Sequence, residues 1–168
     1  MNKKILVSIL MGSDSDWEVM KEASDAMKEF GVSHDMQVMS AHRTPHEVSD
    51  FISRAADEGK KVIIAGAGSA AHLAGVCAAH TILPVIGVPL NATSLGGFDA
   101  LLSTVQMPAG IPVATVAVGK SGARNEGLLA VQILATADIA LAKKYSDFKK
   151  TMAEKVHEKN AKLQKTII

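Results

Sequence analysis

The strongest constraint on this chain is a unit that repeats along it: a short apolar run, a turn of small or polar residues, then apolar residues at helical spacing. Ile5 to Met11 is the first run, and Gly12-Ser13 breaks it. Ser15 then reads as a helix cap with Glu18 three residues on, and Met20, Ala23, Met27 and Phe30 recur at helical spacing as far as Gly31. His34 to Met39 is a second strand, and the helix after it carries Val48, Phe51, Ile52 and Ala55 on one face and stops at Gly59. Val62 to Ala65, Pro84 to Val88 and Val113 to Val118 read as third, fourth and fifth strands. Continuous apolar runs of this length fit strands covered on both faces.

Strands alternating with helices over short connections require a parallel sheet with helices on both sides, since each crossover is right-handed and must cover the sheet. The expected architecture is therefore α/β, a three-layer flavodoxin-like sandwich around a five-stranded parallel sheet. Phe98 to Gln106 reads as a short helix, Gly119 to Gly122 as a turn, and Asn125 to Lys143 as a long helix. With 168 residues and 48% hydrophobic composition, residues 1–168 suit a single domain. Its α/β core spans 1–143. The tail, 144–168, is lysine-rich and helical in propensity, with Phe148, Met152, Val156 and Leu163 as sparse apolar points. It buries little alone, which points to packing on another subunit, with a solvated or frayed tail as the alternative.

Composition narrows the partner. The formal net charge is +1 and the basic residues are scattered, so no electrostatic footprint for nucleic acid is present. No apolar stretch spans a bilayer, because Gly, Pro, His or charged residues interrupt each one. Lys3-Lys4 before Ile5–Met11 mimics the start of a secretory leader, but no small-x-small cleavage site follows, so the run is read as a strand. Cys77, the single cysteine, lies among Val76, Ala78 and Ala79; it reads as a buried structural thiol in a reducing, cytoplasmic protein. A small-molecule substrate is the expectation.

Ser40-Ala41-His42-Arg43-Thr44-Pro45 gathers an imidazole, a guanidinium and two hydroxyls in one turn between strand and helix. Thr44 reads as the N-cap, Pro45 as the first helical residue and Glu47 as the closing member of a capping box. In an open α/β sheet such a turn faces the ligand crevice, and a helix N-terminus offers N–H groups to an anion. His42 as acid/base and Arg43 as anion clamp suggest chemistry on a phosphorylated small molecule. Asp14 and Asp16 read as turn and helix-start residues, and Asp16 can also accept from ligand hydroxyls. His72 follows the glycine-rich turn and could face the same crevice or be a satisfied structural histidine. His34, His46 and His157 read as solvated.

Two familiar motifs fail on inspection. Gly66-Ala67-Gly68-Ser69-Ala70-Ala71 has the spacing of a dinucleotide fingerprint, but Ile86 to Asn91 supplies no carboxylate where the ribose would need one. Gly119-Lys120-Ser121 resembles the end of a P-loop, but Ala114 stands where its first glycine belongs. No pair of histidines has metal-site spacing, and Trp17 and Tyr145 are too few for a flavin stack. No metal and no cofactor are expected.

Taken together, Gly12-Ser13-x-Ser15-Asp16-Trp17, the Ser40–Pro45 turn, Ala65-Gly66-Ala67-Gly68-x-Ala70-Ala71-His72-Leu73 and Gln106-Met107-Pro108-x-Gly110-Ile111-Pro112 resemble the bacterial 5-(carboxyamino)imidazole ribonucleotide mutase family of purine biosynthesis. The likeness runs in order over about residues 4 to 143. It implies a flavodoxin-like homo-octamer that turns the carbamate of aminoimidazole ribonucleotide into the 4-carboxylate without ATP, metal or biotin. It implies His42 as the acid/base, and Ser13, Asp16 and Arg43 as phosphate and ribose contacts. Ser40, Ala41, Ala67, Gly68, Ser69, His72 and Leu73 would then wall the base and the migrating carboxyl group. The related carboxylase branch, which uses free carbon dioxide, typically has lysine at the position of Arg43. Ser69 replaces a usual glycine, Ala74 a usual proline and Ala100 a common serine, while Arg124 and Glu126 add charge after the fifth strand.

Overall fold

The structure, a computed structural model, describes residues 4–167. Lys3 of the basic pair and Ile168 at the end of the tail lie outside the described residues. Four strands form one parallel sheet in the order β2-β1-β3-β4: β1 (Val7–Met11), β2 (His34–Val38), β3 (Val62–Gly68) and β4 (Val85–Leu90). Six helices follow in chain order: α1 (Trp17–Phe30), α2 (Pro45–Ala55), α3 (Leu73–His80), α4 (Phe98–Val105), α5 (Gly119–Ala135) and α6 (Ile139–Ile167).

The chain turns to one side after β1 and to the other after β2, so right-handed crossovers put α1 on one face and α2 and α3 on the opposite one. Alternation along each strand then feeds two cores. Val7, Ile9, Met11, Val62, Ile64 and Ile86 face α1, α5 and the start of α6, while Leu10, Ile63, Ala65 and Val85 face α2 and α3. Gly127 lets α5 lie close against α1: a Cβ there would sit 2.6 Å from the Ala23 carbonyl oxygen. The register brings Met11 level with Val38 on one side and Gly66 on the other, so β1 and β2 end together and β3 runs two residues further.

The sheet has four strands where five were expected. Residues 113–118 run beside β4, yet only Ala114 bridges to it, opposite Ile86. Gly87 N–H donates to Ala114 O at 2.8 Å and Ala114 N–H to Val85 O at 3.0 Å. The next donor of a parallel ladder would be residue 89, which is a proline and has no N–H. Val116 N–H turns instead toward Glu126 Oε1, at 3.5 Å. Sequence hydrophobicity reads a strand there; the missing donor on its neighbour stops it.

Several local boundaries also move. Ser13, not Ser15, caps the first helical segment: its hydroxyl accepts from Ser15 N–H while Asp16 reaches back to Ser13 N–H, and a 3-10 turn over Asp14–Asp16 precedes α1. Gly119 to Gly122 is the first turn of α5, and the helix expected over Asn125 to Lys143 breaks after Ala135. Asp138 restarts it by accepting Leu141 N–H at 3.0 Å, so the tail helix begins at Ile139. Leu141 is buried, Tyr145 stacks on Phe30 with ring centroids 5.5 Å apart, and Phe148 meets Phe30 edge-on at 5.4 Å. Beyond Phe148 the described helix is exposed throughout. His34 is not simply solvated, because its ring bridges Ser24 Oγ at 2.8 Å and Val32 O at 2.9 Å.

Candidate active site

Beyond the carboxyl ends of β1, β2 and β3, the sheet opens into a cleft of about 330 Å³. This is the switch point of the topology, since the chain leaves β1 toward β2 and later returns to β1's other side. Gly12, Ser13 and Asp16 come from the turn after β1; Ser40, Ala41, His42 and Arg43 come from the turn after β2. Ala67, Gly68, Ser69, Ala70 and Leu73 form the wall from β3 to the start of α3, and Ala92 closes it from the loop after β4.

The turn after β2 is tied to itself. Ser40 Oγ accepts from the N–H groups of His42 and Arg43 at 3.3 and 3.2 Å. Thr44 Oγ1 accepts from Ser40 N–H at 3.0 Å and donates back to Ser40 O at 3.2 Å. The Thr44 hydroxyl therefore closes the turn and does not cap α2, and the expected capping box with Glu47 does not form. Pro45 does occupy the first turn of the helix. The consequence matches the expectation by a different bond: His42 and Arg43 are held on a rigid corner.

Arg43 reaches across to the β1 side, donating from Nη2 to Gly12 O at 2.6 Å and from Nε toward Ser40 Oγ at 3.4 Å. It shares the cleft with the Asp16 carboxylate. Burial raises the Asp16 pKa above its ordinary value, while the Ser13 N–H and then the Arg43 charge pull it down. A guanidinium, a carboxylate and the first-turn N–H groups thus share the cleft, a donor and acceptor set suited to a phosphate and a hydroxylated sugar.

His42 lines the same cleft. Its Nε2 lies 2.8 Å from Nδ1 of His72, with the rings nearly perpendicular at 81°. His72 itself is not part of the cleft lining; it sits behind His42 as the residue before α3. The sequence-derived site is otherwise gathered here: Ser13, Asp16, Ser40, Ala41, His42, Arg43, Ala67, Gly68, Ser69 and Leu73 all line the cleft.

The glycine-rich segment is strand as far as Gly68, where a loop was expected. Gly66 has to be small because a Cβ there would meet Met20 Sδ at 2.2 Å, and Ala67 and Gly68 pair with Pro89 and Leu90. Ser69 follows in the left-handed region at φ 57°, which explains why glycine is the usual residue there. Ala74 is buried in the first turn of α3 and is not in the cleft, and at that position an alanine is accommodated as readily as a proline. Sequence reasoning left out Gly12, whose carbonyl anchors Arg43, and Ala92. The rule that ligands lie beyond strand ends would have pointed to the loop after β4, and so to Ala92.

Of the two charges expected after the fifth strand, Arg124 is in a surface ion pair and Glu126 is buried, and neither lines the cleft. Arg124 holds Glu29 through both carboxylate oxygens at 3.0 Å. Glu126 is fully buried, burial raises its pKa to about 9, and its Oε2 has no partner. Cys77 is buried as expected, and burial pushes its thiol up to about 12, so it is no nucleophile. Among the described residues no helix is long and apolar enough to cross a membrane.

A family model described as AIR carboxylase matches residues 6–155, and the chain belongs to that family. Within it, the N5-carboxyaminoimidazole ribonucleotide mutase of Mycobacterium leprae is 52% identical over 165 residues, covering 98% of this chain and 95% of the relative. The enzyme of that name from Escherichia coli K12 is 49% identical, covering 94% of this chain and 93% of its own length. The crystal structure of Treponema denticola PurE superimposes with a TM-score of 0.85 at 31% identity, over 94% of this chain and 98% of that one.

Proposed function

We infer that the chain catalyses the mutase reaction of its relatives: ATP-independent movement of a carboxyl group from the exocyclic nitrogen N5 to ring carbon C4 of carboxyaminoimidazole ribonucleotide, a step of purine biosynthesis. The observation that carries this is the cleft, which His42, Arg43 and Asp16 line together with a wall of small residues.

Arg43, Ser13 Oγ and the N–H groups of the first turn hold the phosphate monoester, and Asp16 accepts from the ribose hydroxyls. That anchoring sets the imidazole ring against Ser40, Ala41 and His42. The carbamate N–C bond then breaks; its electron pair stays on N5, which takes a proton from the His42 imidazolium, and carbon dioxide is released. The electron-rich C4 attacks the carbon dioxide, forming the new C–C bond. Neutral His42 removes the C4 proton, which restores the aromatic ring and the imidazolium. One proton is lent and one recovered, so a single imidazole suffices.

Carbon dioxide must remain beside the ring between the two steps. In this reading Ala67, Gly68, Ser69, Ala70 and Leu73, which line the cleft, close around the bound nucleotide and hold the carbon dioxide against the ring, which keeps recapture intramolecular. No step draws on a nucleoside triphosphate, a metal or an organic cofactor.

The family description also names aminoimidazole ribonucleotide carboxylation, which would use free carbon dioxide. Relatives near half identity, and Arg43 in place of the lysine typical of that branch, favour the mutase. The test is to supply either the carbamate, or aminoimidazole ribonucleotide with bicarbonate, without ATP, and follow the 4-carboxylated product. Efficient use of the carbamate with the other mixture poor is expected; the reverse preference would move the chain to the carboxylase branch, and silence in both would leave a binding module.

Residues 1–168 act as one domain in this reading, and the working form is a cytoplasmic homo-octamer. Support for assembly comes from the exposed apolar surface of Phe98, Leu102 and Val105 on α4 with nearby Leu95, and from the exposed length of α6 carrying Met152, Val156 and Leu163. A sedimentation measurement giving a monomer at assay concentration would contradict it.

A further inference from the structure

Among the described residues Ser69 alone has a positive φ without being glycine, at 57°, and it stands on the cleft wall. A side chain in that backbone conformation costs stability that a glycine would not, and strain kept at a ligand cleft points to a use for the side chain. We propose that the Ser69 hydroxyl donates a hydrogen bond to the carboxyl group carried by substrate and product, so that Ser69 distinguishes the carboxylated nucleotide from the bare one. The inference rests on the mutase reading above and deepens it.

Three hydroxyls line the cleft, and two are already engaged. Ser13 Oγ donates to Asp14 Oδ1 at 3.2 Å and accepts from Ser15 Oγ at 2.9 Å. Ser40 Oγ accepts from the N–H groups of His42 and Arg43 and lies toward Arg43 Nε. Ser69 is exposed, and its hydroxyl has no hydrogen-bond partner among the described residues. Its neighbours on the wall, Ala67, Gly68, Ala70 and Leu73, bring no side-chain donor. A carboxylate set against them exchanges water for apolar carbon, which is costly unless a donor replaces the lost hydrogen bond. Ser69 is the side chain of that wall able to supply one. Such a donor serves both ends of the reaction, because the carbamate and the 4-carboxylate are anions, whereas the carbon dioxide between them is uncharged and a weak acceptor. The bond therefore tightens binding of substrate and product and adds nothing to the step through carbon dioxide.

Two substitutions and two ligands test this. Ser69→Ala removes the hydroxyl and keeps a Cβ in the left-handed position; Ser69→Gly removes both, and glycine fits that backbone without strain. Wild type and both variants are titrated calorimetrically with 4-carboxyaminoimidazole ribonucleotide and with aminoimidazole ribonucleotide, which lacks the carboxyl group. Both variants are expected to bind the carboxylated nucleotide about tenfold more weakly, the low end for a hydrogen bond to a charged group, because an exposed hydroxyl left unpaired returns to water. The bare nucleotide should bind them as it binds wild type. In turnover of the carbamate, KM should rise by a similar factor and kcat should not fall. The proposal is overturned if either variant keeps wild-type affinity for the carboxylated nucleotide, if both nucleotides are weakened alike, or if kcat falls while KM holds. A wild type that binds neither nucleotide would overturn the mutase reading along with it, whereas tight binding of both with no change in the variants would overturn the Ser69 assignment alone.

Discussion

Two carboxyl groups of this protein, Asp16 and Glu126, live in opposite surroundings. Asp16, at the cleft, loses some water but gains the Ser13 N–H at 3.1 Å and the nearby Arg43 charge. Glu126, behind the outer edge of β4, loses all of it and gains one long bond from Val116 N–H, so its pKa rises to about 9. The first is shaped by neighbours within a few residues in sequence and by one turn across the sheet. The second exists because a strand stopped. Polar groups at the cleft answer one another and are available for ligand; the group at the edge is a neutral acid that substitutes for a missing sheet bond.

That contrast can be attacked from both ends. The largest expected effect is at the cleft: His42→Asn removes the proton carrier and should lower turnover by about 10²–10⁴-fold while nucleotide still binds, which a rate assay beside calorimetric titration would read. Full activity in that variant would break the functional half of the comparison.

Glu126 comes next. Its folded pKa lies above the ordinary 4.5, so between pH 4.5 and about 9 the unfolded chain ionises while the folded one does not. Stability from this group is therefore complete in acid and falls as pH rises, by up to ~1.4 kcal/mol per pH unit across that window. Glu126→Gln keeps an acceptor for Val116 and removes the titration. Urea unfolding should show a flatter pH dependence in the variant and a gain over wild type that grows toward pH 9; parallel curves would mean Glu126 is ionised in the fold.

Arg43→Ala should weaken nucleotide binding by roughly 1.5–3 kcal/mol, the range for a charged hydrogen bond. An unchanged affinity by calorimetry would take Arg43 out of the phosphate site. The smallest effect belongs to Ser69→Gly, which relieves a left-handed serine worth about 1 kcal/mol before the flexibility gained by the unfolded chain is subtracted. A modest rise in Tm is expected, and a fall would mean that the Ser69 side chain holds the turn.

Much of this was readable in the chain. Apolar runs placed β1 to β4, and the His42-Arg43 corner stood out because no other short stretch combined those side chains with a helix start. What escaped depended on partners distant in sequence. The fifth strand failed because of Pro89 on its neighbour, whose missing N–H matters only once Ile86 lies opposite Ala114. Ser13 displaced Ser15 as a cap because Asp16, at the closing position, could answer it. His72 was grouped with the substrate contacts, whereas its distance to His42 became meaningful only when α3 was brought beside the turn after β2. Glu126 looked like surface charge in an alanine-rich helix until its burial was known.

The central claim is that one bound nucleotide keeps its own carboxyl group while His42 moves the proton. It is tested most directly by supplying the carbamate labelled at its carboxyl carbon in a large excess of unlabelled bicarbonate and measuring label in the 4-carboxylate. The account predicts a product that retains the label, because the small-residue wall holds the carbon dioxide until C4 captures it. A product carrying the bicarbonate carbon would contradict it and make this cleft one that takes carbon dioxide from solution.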